Sequence, residues 1–158
     1  MAALIGHFSG VTGQTTDVHT SQQNAVGTRV FDAAGNEYIY MQGVASTVLG
    51  TWVSFDELYI TTRLVANALG RVAIALAAVD ATTEFGWWAI YGAHSGLCLA
   101  NFADNAKVWA TATAGSVDDA DVAVDLVDGA IGRSARVVAT GLALFELNYP
   151  VCLNEVKN

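Results

Sequence analysis

Residues 84–92 read EFGWWAIYG. Gly86 bends the chain, and Trp87, Trp88, Ile90 and Tyr91 follow with large side chains. Successive side chains of a strand point to opposite faces, so Trp87 and Trp88 cannot share one. A strand that is apolar on both sides needs cover on both sides. That places it in the middle of a sheet system or at a subunit contact.

The flanking segments read as shorter strands that supply this cover. Thr28–Phe31 and Glu37–Gln42 border Asp32-Ala-Ala-Gly-Asn36, whose composition suits a hairpin loop. Thr51–Phe55 is a short strand stopped by Asp56-Glu57. Leu58–Val65 alternates, and Arg71–Val79 puts Val72, Ile74 and Leu76 on one face and alanines on the other. Ser95–Ala100 is expected to pair with the tryptophan strand. Lys107–Thr113 and Val117 onward form a hairpin around Gly115. Ile131–Val138 and Gly141–Leu147 complete the set, with Pro150 as terminator. Some ten short strands with glycine-marked turns predict an all-β fold, an antiparallel β-barrel or β-sandwich.

Residues 1–26 differ from the rest. They are rich in Gly, Ser, Thr and Gln and have no sustained period, so they lack the apolar area to fold alone. They read as an extended N-terminal arm ahead of a single β-rich domain over residues 27–158. Leu4, Ile5, Phe8 and Val11 are apolar anchors for an arm that orders against a neighbour, and a frayed terminus is the plainer alternative.

Only 14% of the residues are charged and 53% are hydrophobic, where an ordinary soluble chain carries roughly 25% charge. A surface so poor in charge points to cover by other subunits, the alternative being a compact, alanine-rich monomer. A chain of 158 residues is most simply one domain, able to bury roughly 68–70% of its unfolded surface. The net charge is −8, and the arginines at 29, 63, 71, 133 and 136 are scattered. Phosphate binding needs clustered cations, so direct nucleic-acid binding is not expected. The longest apolar run, Val72–Val79, falls far short of the ~20 residues that span a bilayer, so no membrane partner is expected. The opening MAALIGHFSG lacks the basic lead of a signal peptide, which fits synthesis in a cytoplasm. Cys98 and Cys152 are read as two buried thiols, with a single bridge as the alternative.

No catalytic, cofactor or metal motif stands out. Gly92-Ala-His-Ser-Gly96 is one place out of step with a nucleophile elbow, and adjacent strand positions keep His94 from serving Ser95. Asp118, Asp119, Asp121, Asp125 and Asp128 lack the spacing of a calcium loop and read as a solvated acidic stretch fit for docking on a basic surface. His7, His19 and His94 are too widely spaced for a metal site.

The order of GTRVFDAAGNEYIYMQ (27–42), the stretch 71–92, NAKVWATATAGSVDD (105–119) and LALFELNYP (142–150) resembles capsid decoration, or cement, proteins of tailed bacteriophages. The resemblance implies a β-rich structural protein of the virion that binds the outer capsid surface, as homotrimers, and stabilises contacts between major capsid protein subunits. It implies no catalytic residues and no cofactor. Under it, Tyr38, Tyr40, Trp87 and Trp88 are interface or core aromatics, and Leu4, Ile5, Phe8 and Val11 supply the arm's grip. Two other readings stand beside it: a phage neck or tail component, and a carbohydrate- or ligand-binding β-sandwich with an exposed aromatic groove.

Overall fold

A computed structural model describes residues 13–121 and 124–154. Among them there is no helix, and eleven strands form one antiparallel system. They are β1 (Val18–His19), β2 (Arg29–Phe31), β3 (Glu37–Gln42), β4 (Trp52–Phe55), β5 (Thr61–Arg63) and β6 (Gly70–Ala75). Then come β7 (Phe85–Leu97), β8 (Lys107–Ala110), β9 (Val117–Asp118), β10 (Leu126–Gly132) and β11 (Leu142–Cys152). The all-β class expected from the sequence is therefore correct. The sheet does not close into a barrel; β2 and β9 stand at the two ends of the main strand order.

Strand β7 organises the whole. Its first half is flanked by β3, with Tyr40 opposite Trp87 and Tyr38 opposite Ala89, and by β6, with Ile74 opposite Ala89. Its second half pairs with β11, from Leu147 opposite Gly92 to Leu142 opposite Leu97. Gly92, at φ 95°, sits where the neighbour changes, and a left-handed backbone there suits glycine best. Strand β11 then leaves β7 and joins β6, with Val151 opposite Arg71 and Cys152 opposite Gly70. The single sheet thus turns over on itself into two layers. One is β2-β3-β7-β6-β4-β5, and the other is the end of β7 with β11, β10, β8 and β9.

The main core lies between the layers. Tyr40, Trp52, Ile74 and Trp87 from the first meet Phe145, Leu147, Val108 and Val127 from the second. The Trp52 and Phe145 rings cross edge to face at 4.9 Å, a geometry that adds to their area burial. Trp52 Nε1 lies so close over Gly96 that a Cβ there would stand 2.6 Å away. A second cluster covers the far face of the first layer: Ile39, Met41, Val53, Phe55, Ala73, Trp88 and Ile90. Trp87 and Trp88 therefore do face opposite ways, each fully buried in its own core.

Several boundaries differ from the sequence reading. Ser95–Leu97 is not a partner of the tryptophan strand but its continuation, because Gly92 redirects the chain without ending it. The expected strand Leu58–Val65 shrinks to Thr61–Arg63. The Asp56 carboxylate accepts from the Leu58 and Ile60 amides, both at 2.9 Å, and Tyr59 takes φ 63°, so the turn consumes residues 56–60. Pro150 lies inside β11, just after Tyr149 at φ 49°. Its missing N–H falls at the irregularity where β11 changes neighbours, where proline is tolerated.

Part of the arm segment, from residue 13 on, belongs to the described structure. Strand β1 pairs with β7, Val18 opposite Gly86, so this segment folds back on its own sheet. Tyr40 is the cause. Its ring is buried, and its hydroxyl lies 2.8 Å from His19 Nδ1 and accepts the Gln23 N–H at 3.2 Å. Residues 1–12, with the anchors Leu4, Ile5, Phe8 and Val11, lie outside the described residues.

Candidate binding surface

The aromatics singled out in the sequence belong to the interior. Tyr40, Trp87 and Trp88 have no exposed surface, and Tyr38 is 3% exposed. Of their two readings, core is what the structure gives. Trp52 and Trp109 are buried too, so the tryptophans offer no platform for a sugar ring.

Tyr38 and His94 belong to a polar hub at the β2–β3 hairpin. Buried Asp32 accepts from the Ala34 and Asn36 amides (2.9 and 3.0 Å), the Asn36 side chain (2.9 Å) and the Tyr38 hydroxyl (2.8 Å). Burial works to raise its pKa, but these donors outweigh it and hold the carboxyl below its ordinary value. His94 packs edge-on to Tyr38 at 5.4 Å and donates from Nε2 to the Tyr91 carbonyl at 3.1 Å. Desolvation lowers its pKa, opposed by that carbonyl and by the charge of Asp32. The hub fixes a turn and fills the edge of the core. His94 points inward while Ser95 is exposed on the other face, as strand alternation requires.

The acidic run is divided. Asp125 is buried and accepts the Asn67 amide, while Asp119 accepts that of Ala103 at 2.9 Å. Among the described residues no three His, Cys, Asp or Glu side chains gather around a common point. Cys98 and Cys152 are free and buried, and burial pushes their thiols up to about 11 and about 12.

Two surface features remain. The first is an open groove of about 530 Å³ at the end of the first layer, lined by Ser54, Asp56, Glu57, Ile60, Leu69 and Arg71. Beside it the β4–β5 hairpin holds Leu58 out at 66% exposure, and Leu69 is 69% exposed. Scattered exposed aliphatics are ordinary, but these gather at one rim next to the marginal strand β5.

The second is the junction where β11 passes from β7 to β6. Here the Arg29 guanidinium pairs with Glu37 at 3.3 Å and lies 6.0 Å from the centre of the Tyr149 ring. Tyr149 donates to Glu37 at 2.6 Å and packs against Tyr91, ring centres 5.3 Å apart. That hydrogen bond, then partial burial, raises the Tyr149 pKa. Arg71 lies 4.6 Å over Phe55 and 5.5 Å over Tyr59. These residues stand far apart in the chain. The pairings of β2 with β3, β3 with β7, β7 with β11, β11 with β6 and β6 with β4 unite them, which is why a local pattern did not single them out.

No protein family, curated protein or solved structure matches this chain.

Proposed function

We propose that the protein is a structural component that coats the outer surface of an assembled tailed-phage capsid, as trimers, and strengthens contacts between major capsid protein subunits. The observation that carries this reading is the groove lined by Ile60 and Leu69, with Leu58 exposed on the adjoining β4–β5 hairpin. Apolar groups held out at one margin of a rigid body are what a contact surface needs. The order of the decoration-like stretches and the low charge of the chain support the same reading. Each contact can be modest, because subunits joined into trimers on a symmetric shell add their contacts by effective concentration.

Quantitative mass spectrometry of purified particles tests the proposal. Parity with the major capsid protein is the expected result. A ratio of a few per cent would move the protein to the neck or tail, and absence from the particle would end the virion reading.

A further inference from the structure

Where β11 crosses from β7 to β6, a small cavity of about 50 Å³ opens between Arg29 and Arg71, lined also by Phe55, Val72, Ile90, Tyr149 and Pro150. We infer that it is a binding site for a carboxylate carried on a short apolar stem. On a scale where one water needs roughly 10–15 Å³, the space holds a group of a few heavy atoms. Its floor is apolar: Phe55, Val72, Ile90 and Pro150 are buried. Its two charged lining residues are Arg29 and Arg71.

Both arginines keep donors in reserve. A guanidinium has five N–H donors in a planar fork that matches a carboxylate. Arg29 gives one to Glu37 at 3.3 Å, and Arg71 gives one to the Asp56 backbone carbonyl at 3.3 Å. The Asp56 carboxylate serves the Leu58 and Ile60 amides, and Arg71 has no ion pair among the described residues. Among the described residues Glu37 is thus the one carboxylate bonded to either arginine, and an incoming carboxylate completes the balance of charge.

The side chains are also held in place. Phe55 and Tyr59 stack beneath Arg71, and Tyr149, anchored on Glu37, stands by Arg29. Tyr149 has φ 49°, a conformation unfavourable for a residue with a side chain. Such outliers gather where a site is preorganised. A carboxylate fits the pair better than a phosphate dianion, because Glu37 repels the second charge and the floor takes a methylene.

The test is an NMR titration that follows the arginine Nε–Hε signals of the whole chain. The probes are sodium propionate, N-acetylglutamate α-amide and N-acetylalanine, with propionamide and sodium chloride as references. Saturable shifts of Arg29 and Arg71 with an acid, and none with propionamide, are expected. Arg71→Gln should weaken binding about tenfold or more, and Arg133→Gln, at the separate pair with Glu146, should leave it unchanged. Should Arg71→Gln fail to fold, Arg71→Lys keeps the charge and loses the fork, and should still weaken binding. Preference for the glutamate amide would identify a protein side chain as the source, for N-acetylalanine a chain terminus, and for propionate a free acid. Equal shifts with propionamide, no saturable shift beyond that of chloride, or shifts unaltered in the folded arginine variants would overturn the inference.

Discussion

Asp32 shows how much a single buried carboxylate can organise. Four donors from the backbone and side chains of one hairpin converge on it, and charge-assisted bonds of this kind are the strong ones. Asp32→Asn should destabilise the protein by about 2–3 kcal/mol, the usual scale for hydrogen bonds to a charged group, measured by urea denaturation at neutral pH. Its folded pKa is depressed, so its contribution is present above the unfolded value near ~3.9 and is lost as pH falls through the folded value. His94 acts in a higher window. Its folded pKa lies below the ordinary 6.5, so on acidification the unfolded chain takes up the proton first. Stability at this site is full above about pH 6.5 and declines as pH falls toward the lowered value. His94→Phe should flatten that decline between neutral and mildly acidic pH while the Asp32 loss below pH ~4 remains. Urea midpoints measured across this range check both.

Strand β7 ties two cores together, because Trp87 and Trp88 leave it on opposite faces. Each of Trp87→Ala and Trp88→Ala should cost about 3–5 kcal/mol, the range for deleting a large buried aromatic. Both variants should still unfold in one transition, with coincident far-UV circular dichroism and fluorescence midpoints. Separate midpoints would mean that the outer cluster melts alone. The opposite facing of the tryptophans was legible from alternation, and so were Glu37–Gln42 and the β8–β9 hairpin, whose strands carry their own pattern. The path of the chain beyond Tyr91 was not. A glycine at positive φ reads in sequence as a turn, and here it carries a strand from one layer to the other. Leu58 and Ile60 misled for a related reason: their alternation is real, but the Asp56 side chain captures the amides that a strand would use.

The whole molecule presents little charge outward and a rim of aliphatics at one end. Leu58→Ser with Leu69→Ser should leave the melting temperature nearly unchanged, since exposed positions contribute within about 0.5 kcal/mol. Under the capsid reading the same double variant should be recovered on purified heads in clearly lower amount than the parent chain, by co-sedimentation. Undiminished recovery would exclude the groove as the contact. Composition suggested a covered surface but carried no sign of where one would lie. Arg29 and Arg71 were visible only as isolated cations, since their meeting depends on pairings that no local stretch encodes.

The way β7 is paired also governs how the chain can find its fold. Residue 18 lies beside 86, 37 beside 91 and 91 beside 148, so apart from β6, which directly precedes it, the central strand gains its neighbours by closing long loops. Chains dominated by such distant pairings fold in milliseconds to seconds, not microseconds. Until β11 arrives near the end of the sequence, the second half of β7 waits with an open edge. Self-assembly of unfinished chains competes with folding during that interval, so refolding yield should fall as protein concentration rises.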